Sequence, residues 1–376
     1  MKIEREIKEQ IARDLMASGK VIIVYGPRQA GKTTLSDEII AQTGLKALKI
    51  NADQIKYIDV LSSRDLTKLK MLVSGYELLF VDEGQRVPEI GLNLKILHDE
   101  IPELKILVTG SSSFLLSERI TEPLTGRKIV FTLLPISMKE LSGHFNAFEL
   151  MDQLEKLLIY GQYPEVITYG NFRQKEDYLR EISESLMYKD ILELENIKFP
   201  LKIRELLQLL AYQIGSQVSI NELCQKLALN RQTVERYLHL LQQSFIIFRL
   251  NAFSTNQRNE ISKSQKFYFY DTGIRNVLVD NFNTLKLRND VGALWENFVI
   301  AERRKKVLYE RRYVESYFWR TYHGVELDYI EKKGEQLSAF EIKYSKAKLE
   351  PPKSWVEHYG ENYQCITRDN FLEFVL

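Results

Sequence analysis

The feature that most constrains this chain is a short stretch, VYGPRQAGKTTL, at positions 24–35. Within it, Gly26-Pro27-Arg28-Gln29-Ala30-Gly31-Lys32-Thr33 matches the pattern G-x-x-x-x-G-K-[ST]. The run before it, VIIVY (21–25), is rich in β-branched residues. The run after it, TLSDEIIAQ (34–42), spaces Leu35, Ile39 and Ile40 as one helix face. Strand, glycine loop and helix together aim backbone N–H groups and a helix N-terminus at phosphate oxygens. Gly26 and Gly31 permit backbone angles and a close approach that a Cβ would block. Lys32 is expected to reach the β- and γ-phosphates, and the Thr33 hydroxyl to bind Mg²⁺. The expected ATP-binding set is Gly26, Pro27, Arg28, Gln29, Ala30, Gly31, Lys32, Thr33 and Thr34.

A phosphate cradle predicts a second, acidic strand. ELLFVDEGQ (77–85) supplies an apolar run ending in Asp82-Glu83. Asp82 is expected to hold Mg²⁺ through water, and Glu83 to activate an attacking water. KILVTGSSS (105–113) brings Thr109 and Ser111 to the same sheet edge, as sensors of the γ-phosphate or as plain turn residues. Five strands are expected, at 21–25, 46–50, 78–82, 105–109 and 128–133. The helical segments between them imply a parallel, doubly wound α/β sheet.

The chain has 376 residues, room for two or three domains. Its formal net charge of +1 provides no global field toward nucleic acid or membrane, so such binding must come from local patches. The start, MKIEREIKEQ, lacks the apolar core of a secretory signal, and no apolar run approaches the ~20 residues of a membrane helix. A cytoplasmic location is expected, with Cys224 and Cys365 as reduced thiols that form no metal-ligand pair.

Residues 136–200 read as helices interrupted at Gly161 and Pro164. In 201–250, Ser219-Ile-Asn-Glu222 is a capping box, Asn230 can cap the next helix, and Val234, Tyr237, Leu238 and Leu241 share a face. Two strand-like runs follow, joined by the polar tip STNQRNEISKS (254–264). Three helices and a hairpin form the pattern of a winged helix-turn-helix, whose second helix of the pair commonly lies in the DNA major groove. Its exposed face offers Arg231, Gln232, Glu235, Arg236 and His239, with Arg231, Gln232 and Arg236 as the expected DNA contacts. Protein docking is the alternative use of such a module.

The last third opens with a helix at 290–306 carrying Leu294, Trp295, Phe298, Val299 and Ala301 on its apolar face. Alternating strands follow at 317–348. Glu326-Leu-Asp328 closes one, and Glu341-Ile-Lys343, with two side chains on one face, closes the next. Two carboxylates and an ammonium there would converge on one metal, with Glu296 as a further ligand. Cross-strand ion pairs are the alternative. The run Arg303-Arg304-Lys305-Lys306, with Arg311 and Arg312, is expected either to contact phosphates or to be a solvated helix end.

Three resemblances follow from these residues. One strand between the cradle and acidic strands resembles the AAA-type branch of P-loop ATPases. That resemblance implies a mobile helical lid after the sheet. It also implies a role for Arg127, in LTGRK, as an arginine finger toward a neighbouring subunit or as a contact to the nucleotide of its own chain; a surface ion pair is the alternative. Asp328, twelve intervening residues and Glu341-x-Lys343 resemble the restriction-endonuclease-like core. The whole chain, through GPRQAGKTT, FVDEGQRVP, TGSSS, LTGR, YDTGIR, WENF, ELD and FEIK, looks like a bacterial and archaeal family that joins an AAA-type ATPase to a winged helix and a nuclease-like domain. The implied division is 1–140 ATPase core, 141–200 helical lid, 201–272 winged helix-turn-helix and 273–376 nuclease-like domain. The expected function is an ATPase that couples nucleotide state to DNA binding, with metal-dependent cleavage as a further activity. The alternative is a nucleotide switch that binds a protein partner and whose carboxylates are inactive.

Overall fold

Val21–Tyr25 forms β1, and all five of its residues are buried. Burial on both sides is what a near-continuous β-branched run requires, and each such side chain contributes about 1.5–3 kcal/mol when removed from water. A computed structural model describes the chain over residues 2–111, 123–186, 199–254, 265–321, 323–345 and 350–376. In it β1 is joined by β2 (Ala47–Asn51), β3 (Leu78–Asp82), β4 (Lys105–Gly110) and β5 (Lys128–Thr132). All pairs are parallel and the order is β2-β3-β4-β1-β5. β4 thus separates the cradle strand from the acidic strand, as expected.

Alternate residues of β1 pack on opposite faces of the sheet. Ile22 and Val24 pack with Ile11 and Leu15 of helix Lys8–Ala17 and with Leu35 and Ile39 of helix Lys32–Thr43. Val21, Ile23 and Tyr25 pack with Leu69, Ile90, Leu94 and Leu97 on the other face. The period of two, set against helices on both sides, is what makes the sheet doubly wound.

A second core runs from Ile159 to Leu278 and contains the helices Phe172–Ser185, Pro200–Tyr212, Ile220–Leu227 and Arg231–Gln243. The segments expected as lid and as winged helix therefore share one apolar interior. Asn230 accepts from Thr233 N, the cap read from the sequence, and Ser219 accepts from Glu222 N, one half of the expected capping box, while the Glu222 carboxylate pairs with Lys226. Val234, Tyr237, Leu238 and Leu241 are buried on one face of the last helix. The motif YDTGIR and the Asn276 that follows it close helix Ala147–Tyr160: Thr272 Oγ1 donates to Leu157 O at 2.9 Å and Asn276 Nδ2 to Ile159 O at 2.8 Å. The bond to Ile159 O satisfies a carbonyl that the helix end leaves open.

The hairpin strands β6 (Ile247–Ala252) and β7 (Gln265–Phe269) are continuous with the C-terminal strands. Together with β8 (Glu315–Arg320), β9 (Glu326–Lys333), β10 (Gln336–Ile342) and β11 (Tyr363–Ile366) they form one sheet in the order β11-β10-β9-β8-β6-β7. The parallel β6–β8 pair, Asn251 to Tyr317 and Ala252 to Phe318, makes the join. Most of the expected polar tip, 255–264, lies outside the described residues. Helix Val291–Tyr309 packs across this sheet and also against the nucleotide-side core. Asn297 of WENF bonds both backbone groups of Phe269, at 2.8 and 2.9 Å, and so occupies the open edge of β7.

Candidate functional site

The loop after β1 has the geometry a phosphate cradle needs. Gly26 has φ +153°, and a Cβ there would stand 2.0 Å from Leu133 O. Gly31 has φ +94° and caps the helix that begins at Lys32. Gln29 also adopts positive φ, at 60°, so the loop turns its amides inward. Lys32 is buried, and its ammonium donates to Gly26 O and Pro27 O, both at 2.9 Å.

β3 delivers the acids to the same end of the sheet. Thr33 Oγ1 donates to Asp82 Oδ2 at 2.9 Å, and Thr109 Oγ1 donates to Asp82 Oδ1. A hydroxyl and a carboxylate side by side are the oxygen donors that Mg²⁺ takes, so this pair fits that ion, with Asp82 acting through water. Glu83 adopts φ +55°, a left-handed conformation uncommon outside glycine. Its carboxylate accepts from Gln85 Nε2, and Gln85 Oε1 accepts from Ser111 N at 3.3 Å. Gln85 therefore ties the acid to the end of β4. It went unread in the sequence, where only its place two residues after Glu83 marks it. Arg28, Gln29, Gly31, Lys32, Thr33, Thr34 and Glu83 line a cleft of about 480 Å³, closed on the other side by Pro164, Glu165, Tyr178 and Ser185 from the second core.

Arg127 is not part of this site. Its carbonyl accepts from Val21 N at the start of β1, the opposite end of the sheet from the loop. Its guanidinium pairs with Asp99 at 2.7 Å. The expectation that it touches the nucleotide of its own chain is corrected on that geometry.

In the C-terminal sheet, β9 and β10 bring Asp328, Glu341 and Lys343 together. Lys343 Nζ lies 3.3 Å from Asp328 Oδ2 and 2.9 Å from Glu341 Oε1. Burial alone would lower the pKa of this lysine, but Asp328 and Glu341 outweigh it and hold the group above its ordinary value. Ile342 N also donates to Asp328 Oδ2, at 2.8 Å. Glu296 does not join them as a metal ligand. It accepts from Tyr268 OH at 2.6 Å and pairs with Lys266 at 3.2 Å. Burial first, and then the charge of Asp328, push the Glu296 carboxyl up to about 7. Lys266, fully buried on β7, also pairs with Glu326. It is a site residue that sequence reading missed, because it comes from a hairpin assigned to a different module. Glu341 Oε2 is buried and accepts no hydrogen bond among the described residues. Among the described residues, no group of three or more His, Cys, Asp or Glu side chains is close enough to hold a metal ion. Asp328, Glu341 and Lys343 thus meet as expected, and the expectation for Glu296 is corrected: Tyr268 and Lys266 hold it in an adjoining ion-paired cluster.

The basic run is also spent internally. Arg303 bonds both oxygens of Glu331, at 2.7 and 2.8 Å, and Arg304 lies over the rings of Phe248 and Tyr270. Lys305 is fully buried against Glu302. Neither a phosphate-binding patch nor a solvated helix end describes Arg303, Arg304 and Lys305, whereas Arg311 and Arg312 are exposed just past the helix end and pair with Asp14 and Glu310. On helix Arg231–Gln243, by contrast, Arg231, Gln232, Glu235, Arg236 and His239 are exposed, with Arg231 paired to Glu235 at 2.8 Å. No helix among the described residues is long and apolar enough to cross a membrane.

Residues 18–142 match a family model described as an AAA domain. Residues 151–285 and 291–368 match two domains of unknown function, DUF8612 and DUF4143. The chain is 27% identical to the uncharacterized protein MJ1544 of Methanocaldococcus jannaschii, over 85% of this chain and 74% of that one. It is 28% identical to the uncharacterized protein Rv2008c of Mycobacterium tuberculosis, over 91% of this chain and 74% of that one. The structure of the Walker-type ATPase PABY2304 of Pyrococcus abyssi shares the fold, with a TM-score of 0.51 at 16% identity over 74% of this chain and 96% of that one. The matched family and the shared fold, added to the cradle and acid strand, support an AAA-type P-loop ATPase domain in the N-terminal part of this chain.

Proposed function

We propose that the chain binds ATP with Mg²⁺, hydrolyses it, and couples its nucleotide state to DNA binding. The observation that carries the proposal is the contact between Thr33 and Asp82, with Glu83 beside it in the cleft of the phosphate loop. Loop amides and Lys32 bind the phosphates. Thr33 and Asp82 would hold Mg²⁺, whose chemistry is to neutralise charge on the transferred phosphoryl group. Glu83, oriented by Gln85, accepts a proton from the attacking water. Thr109 fixes Asp82 from β4.

The DNA part rests on the second core. Three helices, Pro200–Tyr212, Ile220–Leu227 and Arg231–Gln243, lead into the β6–β7 hairpin, and Gln217 between the first two bridges to Lys266 of β7. That arrangement supports a winged helix whose exposed Arg231, Gln232 and Arg236 meet DNA. The same helix end and hairpin line a polar groove of about 740 Å³ that includes His239 and Arg249.

A second reading, a nucleotide switch for a protein partner with a nuclease-like domain that does not cut, is favoured at the C-terminus by the lysine-paired carboxylates. The order helix, three antiparallel strands, helix, parallel strand supports the nuclease-like fold. One experiment tests both readings: phosphate release and DNA nicking by the full chain with Mg²⁺ or Mn²⁺, with and without DNA. DNA-stimulated ATP turnover supports the first reading. Nucleotide binding that DNA leaves unchanged supports the second, and no nucleotide affinity at all overturns both.

A further inference from the structure

We infer that Arg5 is a positioning residue for the phosphate loop, and that Tyr309 on the C-terminal helix sets it in place; this rests on the nucleotide reading above. Arg5 is 7% exposed and its guanidinium uses every nitrogen. Nη1 donates to Ala30 O at 2.6 Å, Nη2 to Leu134 O at 2.5 Å, and Nε to Glu140 Oε1 at 3.0 Å. A trans peptide points its C=O and N–H in opposite directions. Drawing Ala30 O toward Arg5 therefore turns the Gly31 N–H the other way, into the loop where a phosphate oxygen would accept it. The contact is close: a Cβ on Gly31 would stand 3.6 Å from Arg5 Nη1.

Arg5 also ties the loop to the strap that follows β5. Leu133 N donates to Tyr25 O at 2.7 Å, and Leu133 O lies under Gly26. Leu133 therefore sits beneath the first glycine, and Arg5 links the next residue, Leu134, to Ala30, the residue before the last glycine. The strap is held in turn by helix Val291–Tyr309. Leu134 N donates to Tyr309 OH at 2.9 Å, Lys305 Nζ to Ile136 O at 3.1 Å, and Met138 N to Glu302 Oε2 at 2.6 Å. One face of this helix thus grips residues 134, 136 and 138 in succession. The same helix carries Glu296 into the C-terminal cluster. A displacement of the helix moves Leu134, and through Arg5 it moves the Ala30–Gly31 peptide. By linkage, nucleotide binding and any ligand that shifts this helix must affect each other equally.

The test uses the full chain with a fluorescent ADP, mant-ADP, and steady-state ATP turnover, beside thermal midpoints. Arg5→Met is expected to weaken mant-ADP binding about tenfold or more, since hydrogen bonds from a charged donor are lost. Arg5→Lys, which can still reach one carbonyl, recovers part of that loss. Tyr309→Phe keeps the ring and removes the hydroxyl that accepts from Leu134 N and also interacts with Arg5. It is expected to weaken mant-ADP binding by about twofold to fivefold with the thermal midpoint nearly unchanged. Should Arg5→Met not fold, Arg5→Lys and Tyr309→Phe decide the matter. Wild-type binding with unchanged affinity in the folded variants overturns this inference alone. Failure of the wild type to bind mant-ADP overturns it together with the nucleotide reading.

Discussion

Thr33 and Asp82 share a hydrogen bond of 2.9 Å that joins the helix end of the phosphate loop to the tip of β3. Loop and acid strand are separated in the sheet by β4, so only the parallel register brings the two oxygens together. The lysine beside Thr33 completes the grip. Lys32→Ala is expected to lower ATP turnover by about 10²-fold or more, because it removes a preorganised charge from the phosphates. Isothermal titration with ATP and Mg²⁺ should show binding lost or greatly weakened. Wild-type affinity in this variant would remove the loop from the mechanism.

Glu83 is held in a left-handed conformation and bonded by Gln85, an arrangement that fixes the carboxylate over the cleft. Glu83→Gln should preserve ATP binding and reduce turnover by about 10²–10⁴-fold, the usual share of a general base. Gln85→Ala should reduce turnover less, since the carboxylate remains and only its orientation is lost. A rapid-quench assay separates the two. Normal hydrolysis by Glu83→Gln would assign the base elsewhere.

The first sheet was legible because its signals are local. A β-branched run, two glycines at fixed spacing and an acid-tipped strand each specify backbone geometry within a few residues, and Thr33, Asp82 and Glu83 met as expected. The C-terminal cluster was legible only in part. Asp328, Glu341 and Lys343 lie on one hairpin, and their convergence follows from the strand period. Lys266 reaches the cluster through the parallel pairing of β6 with β8, a contact between segments more than sixty residues apart that no local pattern encodes. Arg303 and Arg304 read as a basic patch because sequence shows charge and not the carboxylates and rings that face it. Arg127 followed a family resemblance that its place at the wrong end of the sheet does not support within one chain.

Glu296 provides a pH-dependent prediction. Its carboxyl is raised to about 7 by burial first and by Asp328 second. A raised carboxylate binds more protons folded than unfolded, so stability falls as pH rises from the ordinary carboxylate range through about 7. The slope in that window is at most about 1.4 kcal/mol per pH unit for one group. Thermal midpoints measured from pH 4.5 to 8 should decline for the wild type and decline less for Glu296→Gln. Parallel profiles would show that Glu296 titrates normally.

Lys266 stands where the Glu296 and Glu326 side of the cluster would otherwise face a cation. Its ammonium is drawn down by burial, but Glu296, Glu326 and Asp328 together hold its pKa above the ordinary value, so it stays charged. Lys266→Met takes the ammonium from Glu296, which keeps only the Tyr268 hydroxyl, and from Glu326, which keeps Arg320 at its exposed side, and breaking a buried pair typically costs about 3–5 kcal/mol. A divalent ion can restore the balance. In nucleotide-free protein, Mn²⁺ is expected to raise the thermal midpoint of Lys266→Met by several degrees, to leave the wild type nearly unchanged, and to lose its effect when Glu326→Gln is added. Asp328→Ala should weaken the same Mn²⁺ response while leaving ATP turnover at the wild-type rate, because β9 contributes nothing to the phosphate cleft. Strong Mn²⁺ binding by the wild type that Glu296→Gln abolishes would mean that Lys266 gives way to metal, and the cluster would then be a cation site after all.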